Sequence, residues 1–187
     1  MNGYVKKIDE VLRIVCTFLN KRKIDYVVVG GIAVMYHGVP RTTVDIDLII
    51  QLDESEIEDF TSYLQSQEFD IAKDNLTDAL AENSHCTVFV DESLLRLDIQ
   101  GVISKFDGMT LQRAITVHHL GTNLRLGTVE DTMVNKILFE GEQDLRDALG
   151  IYQRNSENLD YEYIEETCSS LGIKDKWTAF LEKSREK

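Results

Sequence analysis

The sequence predicts an α+β protein in which a mixed sheet flanked by helices is followed by a C-terminal helical lobe. Two observations lead to this fold class. Up to residue 127, short apolar segments typical of strands alternate with segments whose apolar residues recur every three or four positions, as in amphipathic helices. From residue 128 onward only the helical spacing is found. We therefore expect two domains, a sheet-containing core over 1–127 and a helical lobe over 128–187.

The first half of the core is predicted from its apolar spacing and its helix-starting residues. In chain order the pattern places a helix over Val5 to Lys21, a strand over Asp25 to Val29, a short helix over Ile32 to His37 and a strand over Thr43 to Ile50. Asp53 and Glu56 then have the spacing of a capping pair, which predicts the start of a further amphipathic helix.

The second half of the core is predicted as two pairs of strands. The first pair is Cys86 to Val90 and Leu94 to Ile99, joined by a tight turn at Asp91 to Ser93; the second is Arg113 to Leu120 and Asn123 to Leu126, joined through Gly121. In the lobe, helices are expected to start at Thr128, to cover Glu142 to Gln153, to run from Asp160 to Gly172, and to close the chain over Lys174 to Lys183.

Composition limits the classes of function. The 187 residues carry a formal charge of −13, so the surface repels phosphate backbones and nonspecific nucleic-acid binding is not expected, although a small basic patch is compatible with that average. No run approaches the roughly 18 apolar residues of a membrane span and no signal-peptide pattern is found, which predicts a cytoplasmic protein with no membrane partner. Cys16, Cys86 and Cys168 are widely scattered, as expected of reduced and mostly buried thiols.

The alternation of acidic and apolar residues around Asp45 and Asp47 is the main functional signal. Side chains of a strand alternate between its two faces, so both carboxylates project from one side at roughly 6.5 Å. At that separation their repulsion is on the order of 2–3 kcal/mol for an effective dielectric constant near 20. A divalent cation reverses the sign of this term. The pair therefore predicts a metal site.

Two further features complete the predicted site. Gly30 and Gly31 lie between an apolar strand and a short helix, where bare backbone N–H groups can point at an anion such as a triphosphate. Asp98 is the one acid in an apolar strand, and a neighbouring strand can bring it beside Asp45 and Asp47. The sequence contains neither a G-K-[ST] phosphate loop nor a G-x-G-x-x-G motif, which argues against a kinase, an NTPase or a dehydrogenase.

With these residues the sequence resembles the polymerase-beta-like nucleotidyltransferase superfamily, whose pattern is a glycine turn, a loop, an acid-hydrophobe-acid strand and a third acid on a later strand. A closer resemblance is to the abortive-infection toxin branch (AbiEii/AbiGii-like), carried by Gly30, Gly31, Ala33, Gly38, Arg41, Thr43, Asp45 and Asp47. Later matches to that branch are Glu130, Asp131 and Lys136 on one helix and Asp144 and Asp147 on the next. Many superfamily members have Gly-Ser where this chain has Gly30-Gly31.

The resemblance implies transfer of a nucleoside monophosphate from an NTP to a hydroxyl, with 1–127 as the nucleotidyltransferase core. Asp45, Asp47 and Asp98 are then expected to hold Mg²⁺ or Mn²⁺, and Asp98 to take the proton from the acceptor or to orient it. Lys136 and Arg41 are expected to neutralise the triphosphate. The remaining residues implied to bind the nucleotide or to orient Lys136 are Gly30, Gly31, Thr43, Asp144 and Asp147.

Sequence alone leaves the acceptor and even the class of function open. The resemblance allows the 3′ end of a tRNA or a protein tyrosine or serine, in a toxin–antitoxin or phage-defence context. A second class is a catalytically weak module that acts on a cognate toxin or antitoxin protein by contact alone. A third possibility is an antibiotic-modifying nucleotidyltransferase, for which acids beyond the three carboxylates would suit a cationic aminoglycoside.

Overall fold

A computed structural model of the chain describes residues 6–90, 93–119 and 121–185. These residues form nine helices and one seven-stranded mixed sheet, which confirms the predicted fold class. Val5 and Leu120, at the predicted ends of two elements, and Asp91 and Glu92, in the predicted turn, lie outside the described residues.

The helices and strands have the following bounds. The helices are α1 (Ile8–Arg22), α2 (Gly30–His37), α3 (Glu54–Ser66), α4 (Lys73–Ala81), α5 (Lys105–Arg113), α6 (Val129–Phe139), α7 (Glu142–Asn155), α8 (Tyr161–Ser170) and α9 (Lys174–Arg185). The strands are β1 (Asp25–Val29), β2 (Asp45–Gln51), β3 (Phe69–Asp70), β4 (His85–Val90), β5 (Arg96–Gln100), β6 (Ile115–His119) and β7 (Thr122–Leu126).

The sheet has the strand order β3-β4-β5-β2-β1-β7-β6. β2 lies at its centre, antiparallel to β1 on one side and parallel to β5 on the other. β4 extends the sheet antiparallel to β5, and the β6–β7 hairpin extends the opposite side through a parallel pairing of β7 with β1. β2 is apolar along most of its length because a central strand is flanked by strands on both sides and is largely buried.

The two faces of the sheet are covered differently. One face is apolar along β1, β2 and β5, and its Tyr26 hydroxyl donates to Asn20 of α1. On the other face α5 covers only part of the surface, where Val27, Ile49 and Leu111 form a buried cluster. Asp45 and Asp47 belong to this second face, since they alternate with the buried Ile46 and Leu48 of the first.

Several elements differ from the sequence-based expectation. The sequence pattern did not reveal α4, α5 or β3. α5 starts after Ser104, whose hydroxyl accepts from the Asp107 N–H at 3.0 Å and caps the helix. This helix extends to Arg113, which was predicted to start a strand, so the strand begins only at Ile115. β5 begins at Arg96 rather than at Leu94, which is exposed in a bend, and α2 begins at Gly30 rather than at Ile32.

The predicted helix starts in the C-terminal part of the chain are confirmed. The Thr128 hydroxyl accepts from the Asp131 N–H at 3.1 Å at the start of α6, and the Asp160 carboxylate accepts from the Tyr163 N–H at 3.0 Å at the start of α8. α8 ends before Gly172, whose φ of +69° is the left-handed conformation that favours glycine after a helix. α6 packs against α7, α8 and α9.

The chain divides into two compact units. The first contains the described residues up to Gly31 together with Thr42–Gly127, and it holds the whole sheet. The second contains Ile32–Arg41 and the described residues from Thr128 onward. The separation into domains at residue 127 stays a prediction. Within the described residues, no helix combines the length and the apolar character needed to cross a membrane. All three cysteines are buried and unbridged, as expected.

Candidate active site

The three predicted acids lie on neighbouring strands of the sheet-containing unit. β2 and β5 are parallel, and their register pairs Asp47 with Asp98. Register partners of adjacent strands point to the same face, so Asp98 shares the face that carries Asp45 and Asp47. All three side chains are partly exposed.

The glycine turn packs directly against one of these acids. Gly30 has a φ of +58°, and a Cβ atom built there would lie 2.6 Å from Cγ and 3.0 Å from Cβ of Asp47, and closer still to Oδ2. Both the left-handed backbone and the lack of space disfavour a side chain at this position. Gly30, the first residue of α2, therefore lies directly against the Asp47 carboxylate, where a helix N-terminus favours negative charge.

Two residues that the sequence interpretation overlooked contact the acids. The Arg96 guanidinium donates to Asp45 Oδ1 from Nε at 2.7 Å and from Nη2 at 2.6 Å. The Thr87 hydroxyl donates to Asp98 Oδ1. Arg96 was detectable in principle, because it lies two positions before Asp98 and strand periodicity places both on one face. Thr87 required knowledge of the β4–β5 register.

Arg96 changes the electrostatic argument made from the sequence. Its charge offsets that of Asp45, so the carboxylates do not repel each other unopposed. The side chains of Asp45 and Arg96 are 36% and 43% exposed, and such partly exposed pairs contribute about 0.2–1 kcal/mol. A divalent cation can therefore displace the guanidinium at modest cost.

The donor chemistry suits a hard cation, since carboxylate oxygens are the ligands that Mg²⁺ prefers. Among the described residues, however, no three histidine, cysteine, aspartate or glutamate side chains are grouped so that they could hold a metal ion. Asp45 is paired with Arg96 and Asp98 accepts from Thr87, so two of the three carboxylates already have protein partners.

Thr43 has a local structural contact beside the site. Its hydroxyl donates to the Asp45 carbonyl oxygen at 3.2 Å and lies 3.4 Å from the Asp45 N–H. These contacts fix the backbone where β2 begins. Its predicted contact with a nucleotide stays a prediction, as does that of Gly31, the second residue of α2.

The other four predicted residues form an ionic network in the second unit. Asp147, only 4% exposed, accepts from Arg41 Nε at 3.1 and 3.2 Å and lies 3.9 Å from Lys136 Nζ. Lys136 Nζ donates to Asp144 Oδ1 at 2.8 Å, while Asp144 Oδ2 accepts from the Gly141 N–H at 3.2 Å and so caps α7. Both aspartates of the D-x-x-D spacing thus contact Lys136. A buried carboxylate needs such partners, because leaving it unpaired is strongly unfavourable.

The buried Cys86 lies on the face of the sheet opposite the acids, and the charge of Asp98 affects its thiol. Burial, and to a lesser extent the negative charge of Asp98, raise the pKa of the Cys86 thiol. The thiol is therefore neutral and unreactive at neutral pH, and it takes no part in the chemistry of the face that carries the acids.

The seven-stranded mixed sheet and the helices around it are consistent with a nucleotidyltransferase-like fold. The family comparison agrees: a model described as "nucleotidyltransferase of unknown function (DUF6036)" matches residues 5–181, and the chain belongs to that family. The predicted membership of a nucleotidyltransferase-like superfamily is therefore confirmed, whereas the AbiEii/AbiGii-like branch stays a prediction. Among curated proteins, none matches this sequence.

Solved structures support the same fold. An antigenic nucleotidyltransferase-like protein from Paracoccidioides brasiliensis is similar with a TM-score of 0.53 at 18% identity, covering 93% of this chain and 91% of that one. ANT(2″)-Ia, solved in complex with adenylyl-2″-tobramycin, is similar with a TM-score of 0.50 at 12% identity, covering 94% of this chain and 97% of that one. At these identities the similarity establishes the fold alone.

Proposed function

We propose that this protein transfers a nucleoside monophosphate from an NTP to a hydroxyl of a tRNA 3′ end or of a protein. The context proposed is that of the AbiEii/AbiGii-like branch, a toxin–antitoxin pair or phage defence. One observation carries the proposal: the left-handed Gly30 packs against Asp47, and Asp98 lies opposite Asp47 on the parallel strand. Two carboxylates placed opposite each other repel, so the fold gains no stability from this pairing, whereas a nucleotide site needs both acids beside a helix N-terminus.

The three acids would hold Mg²⁺ or Mn²⁺, which would neutralise the triphosphate and the charge that develops on the transferred phosphoryl group. Asp47 is fixed by the glycine turn and would anchor the site. Asp45 would join after leaving Arg96, and Asp98, oriented by Thr87, would accept the proton of the attacking hydroxyl. The backbone of Gly30 and Gly31 would approach the phosphates without a side chain in the way.

Lys136 and Arg41 would supply positive charge to the triphosphate in this proposal. Within the second unit each is held by a carboxylate of α7, Lys136 by Asp144 and Arg41 by Asp147. Stabilisation of charge on the phosphates is the contribution that such cations make to phosphoryl transfer.

The test is a labelling experiment. The full chain is incubated with each α-³²P-labelled NTP, Mg²⁺ and a total cell extract, and the RNA, protein and small-molecule fractions are separated. We expect label in the RNA or the protein fraction, and its loss on Asp47→Asn substitution. Absence of label from every fraction with all four NTPs would contradict the proposal.

A second candidate is adenylylation of an aminoglycoside hydroxyl, favoured by the fold similarity to ANT(2″)-Ia. Tobramycin offered with labelled ATP, in the same assay, tests it. A labelled product here and none in the RNA and protein fractions would favour the antibiotic-modifying alternative.

A further inference from the structure

We propose that Arg96 is a two-position switch of the acidic site. Without a divalent cation its guanidinium pairs with Asp45, and when the cation binds it turns across the Phe89 ring toward Asp70. The inference rests on the proposed function, because it describes how the metal site of that function is opened and closed.

The residues of the switch form one row across the sheet. The β2–β5 register pairs Asp45 with Arg96, and the β4–β5 register pairs Arg96 with Phe89. The β3–β4 register then pairs Phe89 with Asp70. Directly opposed residues of neighbouring strands point to one face of a sheet, so the whole row shares the face of the acids. Arg96 therefore has an aspartate on each side, one on the adjacent strand and one two strands away.

In the structure the guanidinium lies on the Asp45 side of this row. Its Nε and Nη2 atoms both donate to Asp45 Oδ1, at 2.7 and 2.6 Å. A divalent cation bound to Asp45 brings two positive charges close to this guanidinium, and like charges at such short range repel. The cation and the guanidinium therefore compete for Asp45, and the partly exposed ion pair gives way easily.

The other side of the row offers the guanidinium a second position. Adjacent strands are about 4.8 Å apart, so Asp70 lies roughly 10 Å from Arg96 across the sheet, a distance that the two extended side chains can span. The Phe89 side chain between them is 51% exposed, and Asp70 is exposed as well. A guanidinium over an aromatic face is attracted to the ring, and the Asp70 carboxylate then meets its charge.

The distribution of charge makes Arg96 the residue that can switch. Within strands β2 to β5, all of whose residues the structure describes, Arg96 is the only lysine or arginine. The same strands carry four aspartates on this face, which are Asp45, Asp47, Asp70 and Asp98. One guanidinium is therefore shared between two solvent-exposed positions, and weak exposed pairs of similar free energy are what a two-state element needs.

The first measurement follows the Arg96 Nε–H signal in ¹H–¹⁵N spectra during a titration with Mg²⁺ alone. Arg96→Lys assigns the signal by deleting it, and Asp45→Asn gives its position for a guanidinium that has left Asp45. We expect Mg²⁺ to move the wild-type signal toward that position. The control is the Nε–H of Arg125, whose guanidinium pairs with Asp25 in the same sheet and should not respond. An Arg96 signal that stays in place at saturating Mg²⁺ would overturn the inference, because the guanidinium would then remain on Asp45.

The second measurement is the affinity for Mn²⁺ without NTP, by isothermal titration calorimetry at fixed ionic strength. Arg96→Gln removes the competitor and should tighten binding about three- to tenfold, whereas loss of a merely structural residue would weaken it. Asp70→Asn removes the second position and should weaken binding about two- to fivefold, the range of one exposed pair. The matched control Arg125→Gln removes the same charge from another Arg–Asp pair of the sheet and should leave the affinity unchanged.

The effect of Asp70 has to depend on Arg96. In an Arg96→Gln background Asp70→Asn should no longer change the Mn²⁺ affinity, because no guanidinium is left to receive. The same weakening with and without Arg96 would identify a through-space charge effect and would overturn the inference. Equal Mn²⁺ affinity of wild type and Arg96→Gln, or no Mn²⁺ binding by either protein, would overturn it as well.

The labelling experiment separates this inference from the proposed function. If wild type transfers label while Arg96→Gln and wild type bind Mn²⁺ equally, the switch is wrong and the nucleotidyl transfer stands. If wild type transfers no label to any fraction, the proposed function fails, even where the Arg96 signal moves with Mg²⁺.

Discussion

Replacing Gly30 by alanine tests the central geometric claim, because this glycine is required for two separable reasons. Its backbone is left-handed, and a Cβ atom there would press against the Asp47 carboxylate. Gly172 provides a matched control: it is also left-handed, with a φ of +69°, but a Cβ at that position meets no atom within 4 Å. Comparing Gly30→Ala with Gly172→Ala therefore isolates the effect of the crowded carboxylate.

The expected magnitudes follow from these contacts. A left-handed alanine costs about 1–2 kcal/mol, which applies to both variants. Crowding against Cγ and Cβ of Asp47 adds a further 1–3 kcal/mol or so at residue 30, so Gly30→Ala should lose about 2–5 kcal/mol of unfolding free energy in total. For a chain of this length each kcal/mol lowers Tm by about 2–4 °C. Gly30→Ala should therefore melt clearly below Gly172→Ala.

The assay is urea unfolding without ligand, followed by thermal melting with an NTP and Mn²⁺. A bound ligand raises Tm by mass action, and we expect this rise in wild type and in Gly172→Ala but not in Gly30→Ala, because its Asp47 carboxylate is displaced. The reasoning is refuted if Gly30→Ala keeps the full ligand-induced rise, or if it loses no more stability than Gly172→Ala.

The remaining predictions concern the acids, the lysine and one buried thiol. Asp47→Asn should lower nucleotidyl transfer roughly 10³-fold, at 1.36 kcal/mol per tenfold, with little loss of unfolding free energy; full cellular activity of the folded variant would instead support the interaction module. Asp45→Ala should change the unfolding free energy of the ligand-free protein by less than about 1 kcal/mol, because the ion pair of Asp45 with Arg96 is partly exposed. The same substitution should abolish the rise in Tm that Mn²⁺ and NTP produce. A rise equal to that of wild type would reject metal binding at this position. Lys136→Ala should raise KM for the NTP more than it lowers kcat in steady-state kinetics, and the reverse split would place its contribution in the transition state. Burial raises the pKa of the Cys16 thiol from 9.0 to about 12. The stability that the neutral thiol contributes is therefore complete below pH 9 and is lost as the pH rises toward 12. In urea unfolding across that range, Cys16→Val should make the decline of unfolding free energy with pH shallower, and an unchanged slope would contradict the assignment.

Much of the candidate site was predictable because its signals are local. Strand periodicity alone places Asp45 and Asp47 on one face, and it also places Arg96 with Asp98, although the sequence interpretation overlooked that second pair. The helix starts at Thr128 and Asp160 were equally accessible, since a capping side chain acts on a backbone N–H only three residues away.

Other elements gave weak or misread signals. α4 has only two buried positions, Leu76 and Ala79, and no capping hydrogen bond at its start, so its apolar periodicity is faint. β3 has two residues, too few for any alternation. α5, in contrast, had a signal in Ser104 and Asp107, the spacing of a capping box, and it was overlooked beside the stronger strand pattern that follows.

By itself, then, the sequence determined the fold class, the position of the glycine turn, the pairing of two acids on one strand face and the caps of the C-terminal helices. Only the tertiary structure decided that β2 pairs with β5 in the register that sets Asp98 opposite Asp47 and Arg96 opposite Asp45. The physical reason is the range of the interactions. Periodicity, capping and backbone strain act within a few residues, whereas strand order and register depend on burying apolar faces contributed by segments some fifty residues apart, for which no local pattern is unique.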